Sequence, residues 1–254
     1  KMATAKKESV TINVSKLTQK ACNLRLIGTT PMYQNRMSAK AKQEFLVGSG
    51  KGKSKLDKAY IKHDPLQEYR DAAEVVLDGP TALGLKVIAV KAAMATAALE
   101  TAGVFKTEIQ RLLFMPGDMT PLYGTPYLKM DIVRQGGINK TPDIRTRPFI
   151  PKWGAEIEMR YIVPQLNLTS LFNILCNAGV LIGLGDYRQE KGKGNFGSFR
   201  VISADDQDDE WDELVKHHGR KAQEKALKLP VCADSDTEDL MDFFNSEVER
   251  REAA

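Results

Sequence analysis

The order of elements in this sequence predicts an α+β fold, an antiparallel sheet with helices on one face. Three observations carry that prediction. Ala155, Ile157, Met159, Tyr161 and Val163 alternate with Glu156, Glu158 and Arg160, the period of two expected of a half-buried strand. Residues 85–102 and 168–178 have the composition and spacing of helices and are followed by Gly103 and Gly179 as stops. Short strand-like runs flank both helices, and no repeat period emerges that would make the chain a solenoid or propeller.

Residues 11–14 and 23–27 read as short strands, because Leu24 and Leu26 alternate with polar neighbours before Gly28, Thr29, Thr30 and Pro31 break the run. Residues 37–46 have helical spacing. The run at 48–58 combines three glycines with Lys51, Lys53, Lys55 and Lys58 and has almost nothing to bury, which predicts a mobile basic loop. Its Gly52-Lys53-Ser54 triplet is not a phosphate-cradling P-loop, because Val47 stands where the first glycine is required. Pro65 opens a helix through Val76, with Leu66, Tyr69, Ala72 and Ala73 on one face and Asp78, Gly79 and Pro80 beyond its end. The alanines of residues 85–102 suit a core helix lying close to a sheet. Residues 122–134 are strand-like but broken by Gly124 and Pro126, and a turn at 136–143 leads to a strand at 144–150. After the 155–163 strand and the 168–178 helix, residues 196–202 form the last strand. This order suits a ferredoxin-like or RRM-like core. Residues 1–204 form that body, 205–232 a charged amphipathic helix and 233–254 an acidic tail.

With 254 residues, 42% of them hydrophobic and 28% charged, the chain can bury one sizeable core, which excludes collagen, disulfide-scaffold and fully disordered classes. The longest apolar stretch, residues 87–99, is interrupted by Lys91 and is shorter than the roughly 20 residues a bilayer span needs, so no membrane partner is expected. Lysines at the start precede no apolar run, and an intracellular setting is expected. Cys22, Cys176 and Cys232 are too far apart for a zinc site and suit reduced thiols. The net charge of +4 hides an asymmetry: residues 201–254 carry 16 acids and 7 bases, a net of −9, whereas residues 1–200 carry 17 and 30, a net of +13. A basic body attracts polyanions, and an acidic tail competes for that surface, recruits a basic partner, or is simply a solvated helix.

Residues 179–201 are the most informative. Gly183, Gly185, Gly192, Gly194 and Gly197 are interleaved with Arg188, Lys191 and Lys193. Glycines at this density let the backbone approach a phosphate chain, or equally another segment of the same chain. Phe196 and Phe199 fall on opposite faces of a strand, so at most one can stack on a base. A helix followed by this basic loop, ending Gly192-x-x-x-Phe196-Gly197-x-Phe199-x-Val201, resembles the signature loop of RAMP proteins, the RRM-like subunits of CRISPR effector complexes. Residues 122–202, with DIRTRPFIPKWGAEIEMRY and GLGDYRQEKGKGNFGSFRV, are also similar to a family of uncharacterised phage and prophage proteins. The resemblance implies an RRM-like core, binding along an RNA or single-stranded DNA backbone, and assembly into a filament or ring. Asp186 and Glu190 depart from that pattern and would repel phosphate unless paired with Arg188 or Lys191.

Arg134, Arg145, Arg147, Lys152 and Arg160 cluster near Tyr127, Phe149, Trp153 and Tyr161. Arg145 and Arg147 share one face of a strand, a pattern that suits a single strand whose phosphates are neutralised while its bases stack. Alternatively Trp153 and Tyr161 are core and the arginines pair with Glu156 and Glu158. Catalysis has little support. His63 is a candidate base for metal-independent RNA cleavage, but no nucleophile, base and orienter occur together. His217 and His218 are adjacent and point about 100° apart on a helix, and Asp205, Asp206, Asp208, Asp209 and Glu210 read as helix-start acids. No cofactor or metal is expected. The resulting expectation is a non-enzymatic protein that binds single-stranded DNA or RNA through Arg134, Arg145, Arg147, Lys152, Arg188, Lys191, Lys193, Phe196, Lys51, Lys53 and Lys55, and oligomerises along the strand. In the tail, Leu240, Phe243 and Phe244 offer a partner-binding face, either from a disordered shielding segment or from a short helix packed on a neighbouring subunit. The rival classes are a RAMP-like endoribonuclease and an assembly protein that binds another protein.

Overall fold

The computed structural model describes residues 14, 16–37, 62–134, 140–191 and 194–252. The chain is α+β with antiparallel sheets. Strand β1 (Thr18–Gly28) is central, because Leu24 and Leu26 bury one face of it while Ile27 buries the other. It pairs along its length with β8 (Gly154–Val163), from Thr18 opposite Val163 to Ile27 opposite Gly154. On its other edge lies β9 (Phe199–Ser203). Beyond β8 come β5 (Met119–Tyr123) and then the short β3 (Gly84–Lys86), while β4 (Leu113–Phe114) also pairs with β8. The six-stranded sheet thus runs β3-β5-β8-β1-β9.

Helices α2 (Val87–Ala97) and α4 (Leu168–Leu181) lie against each other on one face, with a short α3 (Lys106–Leu112) beside α2. Helix α2 buries Val90, Ala93, Met94 and Ala97, and the small alanines let it lie close, as the sequence predicts. It starts later than predicted because residues 84–86 pair with β5 before the helix begins. In α4, Asn167 caps the N-terminus by accepting from the Ser170 N–H at 2.8 Å, and Leu171, Ile174 and Leu175 are buried. Gly179 is not its stop. The helix runs on to Leu181, and a Cβ at Gly179 would lie 2.1 Å from the Phe199 carbonyl oxygen, so glycine is required for the helix to approach β9.

The opposite face is covered as well, which corrects the one-sided layer expected from the sequence. Helix α5 (Asp209–His217) lays Trp211 and Leu214 on Ile27, Tyr123 and Ile202, and the Arg25 guanidinium sits 5.0 Å above the Trp211 ring. Asp208 caps α5 by accepting from the Trp211 N–H, the role read for the acids at this helix start. The predicted 205–232 helix is two helices, broken at Gly219 before α6 (Arg220–Lys228). In α6 the fully buried Gln223 accepts from the N–H groups of Ala82 and Leu83 and donates to the carbonyls of Leu122 and Gly124, tying three segments together.

Between β5 and β8 the chain makes an excursion into a second, three-stranded sheet of order β2-β7-β6. Gly124, at φ +140 and with Lys152 O 2.6 Å from where a Cβ would be, separates β5 from β6 (Tyr127–Arg134). β6 pairs with β7 (Pro142–Ile150), and β7 with β2 (Met32–Tyr33). Helix α1 (Pro65–Ala72) packs on β7 and buries Tyr69 against Leu128 and Met130. The acidic tail is helical: α7 (Ser235–Glu252) lies along β6, with Thr237 buried and its Oγ1 accepting from the Met130 N–H at 3.3 Å. Asp234 caps α7 through the Thr237 N–H and pairs with Lys129. A helix docked on its own chain replaces the disordered tail.

Among the described residues no helix is long and apolar enough to cross a membrane. Lys51, Lys53 and Lys55 in the 48–58 loop, Lys193, residues 11–13 and residues 38–46 of the predicted 37–46 helix lie outside the described residues.

Candidate nucleic-acid interface

The glycine-rich segment spends its glycines on its own chain. Residues 183–191 and 194–197 are held by hydrogen bonds from Leu184 N to Gly197 O at 2.8 Å, Asp186 N to Tyr33 O at 3.0 Å and Gly197 N to Pro31 O at 2.8 Å. Gly183, Gly185 and Gly197 all have positive φ. A Cβ at Gly194 would lie 1.6 Å from Tyr187 O and one at Gly197 1.7 Å from Leu184 O, so no side chain fits where the two limbs cross. Of the two readings open from sequence, the tight chain crossing is the one realised at these positions.

Arg147 holds this loop to the hairpin. It is 1% exposed, donates through Nη1 to Asp186 and through Nη2 to Asp131, both at 2.8 Å, and its guanidinium lies between the Tyr33 and Tyr187 rings at 4.6 and 4.4 Å. A cation suits this slot because it lies within reach of two aromatic rings, set edge-on to each other at 82°, while its N–H groups reach two carboxylates. Burial pushes the Asp186 carboxyl up, but the Tyr187 N–H, the Arg147 charge and the Asn35 amide together bring it below its ordinary value. Burial, aided by the Asp131 charge, raises the Tyr33 hydroxyl well above the usual range and keeps it neutral. Phe196, half-buried, packs edge-on to Tyr33 at 4.9 Å, and Phe149 completes the cluster. Phe199 is buried in the core at the start of β9, which begins there and not at Phe196 as predicted.

These contacts correct several sequence-predicted site residues. Arg147 is buried and salt-bridged and is no phosphate contact. Arg188 donates to Gly185 O and to Glu190, so the loop's second acid is paired within the loop. Phe196 is part of an aromatic cluster rather than a free stacking platform. Lys152 is exposed but lies across the molecule beside Asp209, Glu210 and Glu213 of α5. There burial, then the charges of His217 and Lys152, lower the His218 imidazole below its ordinary value. Trp153 and Tyr161 are core, and Arg160 pairs with Glu158, as the alternative reading had it. Arg134 is exposed at the far end of β6.

Arg145 remains, and it opens on a different feature. A cleft of about 810 Å³ lies between β7, α1 and α7, with Arg145 and Thr146 on one wall, Arg36 and His63 on another, and Phe244 reaching in from α7. His63 is held at both ring nitrogens, Nδ1 by Glu68 at 2.6 Å and Nε2 by Asp143 at 3.0 Å, and Lys62 also pairs with Asp143. Phe244 is half-buried here, whereas Phe243 is 70% exposed, and Leu240, one turn before Phe244, is 36% exposed at the flank of α7. The trio expected to form one partner-binding face is therefore split. Sequence reasoning missed Arg36, Glu68 and Asp143, which carry no local motif and meet only because β2, α1 and the hairpin converge.

No protein family matches the chain, and no relative emerges from the curated proteins. Among solved structures, the chain is similar to one described as the Type III-B Cmr-beta bound to cognate target RNA, at 14% identity and a TM-score of 0.35, with 73% of this chain covered. The match spans 62% of that chain's length. The similarity to phage and prophage proteins has no counterpart in these comparisons.

Proposed function

We propose that the protein is a non-enzymatic, single-stranded nucleic-acid-binding protein built on a ferredoxin-like core of the RRM and RAMP kind, and that it oligomerises along the strand. The core assignment is supported by the connection β1-α2-β5-β8-α4-β9, whose strands lie side by side in the order fourth, first, third, second. The glycine-rich loop entering the last strand is a second support. The observation that carries strand binding is the surplus of +13 in residues 1–200, together with Arg36 and Arg145, exposed at the cleft and without an ion-pair partner among the described residues. Cations left free beside a cleft can exchange their counterions for phosphates, whereas the buried Arg147 cannot. Exposed Ile88, Val180 and Leu181 on the helical layer suit contact between copies.

The ribonuclease reading requires His63 to take a proton. Both of its nitrogens already bond to carboxylates, and a strand would have to displace one of them. The test is titration of labelled single-stranded RNA and DNA over a series of salt concentrations, with gel analysis of the strand in chelator and electron microscopy of the products. Binding that weakens as salt rises, an intact strand and protein-coated strands are expected. Salt-independent or absent binding, or cleavage abolished by His63→Ala, would overturn the reading.

A further inference from the structure

Cations beside a cleft do not by themselves say what enters it. Thr146 does more. It is 2% exposed, it lines the cleft, and its Oγ1 has no hydrogen-bond partner among the described residues. A buried polar group without a partner is uncommon in a folded protein; Nε of Arg147 and of Arg188 share that state beside the glycine-rich loop, and at the cleft a ligand can supply the bond that the Thr146 hydroxyl lacks. Its neighbours define that ligand. The carboxylates in the cleft are largely engaged: Asp143 by Lys62 and His63, Glu68 by His63, Asp64 as the cap of α1 through the Gln67 N–H, and Asp71 by the Gln67 amide. Hydrogen bonds from neutral groups leave Asp64 and Asp71 charged, so a phosphate is favoured only toward the two guanidiniums, with the Thr146 hydroxyl and the ring of Phe244 as the other groups open to a ligand. Guanidiniums bind phosphate through paired N–H groups, and an aromatic ring takes the face of a base of any sequence.

We propose that the cleft is a nucleotide subsite, in which one nucleotide of the bound strand places its phosphate on Arg36 and Arg145, its base against Phe244, and a sugar or phosphate oxygen on the Thr146 hydroxyl. This rests on the strand-binding reading and locates it. It also gives the acidic C-terminal helix a positive part in binding: α7 supplies the ring, so the helix completes the site instead of shielding a basic surface from it.

The test uses the full chain and its Arg145→Ala, Phe244→Leu and Thr146→Val variants, with circular dichroism to confirm that each is folded. Binding of a labelled single-stranded oligonucleotide is measured beside photocrosslinking of a strand carrying 5-iodouridine. Phe244→Leu keeps the apolar contact and removes the ring, and is expected to weaken binding about tenfold, in line with base–aromatic stacking. Arg145→Ala is expected to weaken it and to flatten the log-log salt slope by about 0.7, one phosphate's share for a single strand. Thr146→Val is expected to weaken binding about threefold without lowering the melting temperature, since its hydroxyl has no partner to lose. Crosslinks are expected in the peptide holding Phe244. If the wild-type protein binds the strand while Phe244→Leu and Arg145→Ala bind equally well and crosslinks fall elsewhere, the subsite is refuted and strand binding stands. If the wild-type protein binds no strand at any salt concentration, both fail.

Discussion

The glycine-rich loop and the cleft contrast in what they show in sequence and what they keep free in the fold. The loop concentrates five glycines with Arg188, Lys191 and Lys193 in a short stretch, yet its hydrogen bonds close on Tyr33, Pro31 and itself, and Arg147 and Arg188 are matched by Asp186, Asp131 and Glu190. The cleft has no motif, yet it gathers exposed Arg36 and Arg145 with Phe244 from segments about a hundred residues apart, beside the unpartnered Thr146 hydroxyl. Charge that is already paired at home has little left for a ligand. Mutations at Arg147 and at the loop glycines should therefore act on stability, and mutations in the cleft on affinity.

The largest effect is expected at Arg147. Replacing it by Ala leaves Asp131 and Asp186 without their cation and removes the filling between two tyrosine rings, a loss of about 3 kcal/mol, near the lower end for a broken buried pair because both carboxylates keep some water. For a chain of this size that lowers the melting temperature by about 6–12 °C. Calorimetry checks it, and strand affinity per folded molecule is expected to stay the same. Gly197→Ala comes next. Its φ of +77 and the Leu184 carbonyl in the way of a Cβ predict a loss of about 2 kcal/mol, again in thermal unfolding and not in binding.

Legibility in the sequence follows the same division. Periodicity finds β8 and the two sheet-covering helices because each buries one continuous face of a single segment. It misses that α5 covers the opposite face, since Ile27 is one residue among the alternating positions of β1 and nothing in its neighbourhood names Trp211 as its partner. Arg145 and Arg147 are indistinguishable in sequence, two residues apart on one strand. Only the arrival of Tyr187 and Asp186 from the loop over Arg147, but not over Arg145, separates a buried staple from an exposed cation. The tail shows the same limit: Thr237 and Met241 turn toward the body, but the sequence advertises Leu240 and Phe243, which stay exposed.

A smaller effect is expected on acidification. Asp186 titrates below its ordinary value of 3.8 in the folded chain, so as pH falls the unfolded state takes up the proton first. Its stabilising contribution is complete above that ordinary value and is lost as pH falls through the lower folded one. Asp186→Asn should therefore make the stability curve shallower in this acid range, as read by denaturant unfolding at a series of pH values, while cleft variants such as Arg145→Ala leave the curve's shape unchanged.

Amide hydrogen exchange, measured on the full chain with and without a saturating single-stranded oligonucleotide, tests the central claim most directly, because it reads both regions in one experiment. The strand is expected to slow exchange in peptides from α1 and β7 and at Phe244 in α7, and to leave Leu184, Asp186 and Tyr187, whose amides already bond within the chain, as they were. Protection confined to the glycine-rich loop, with the cleft peptides unchanged, would contradict it.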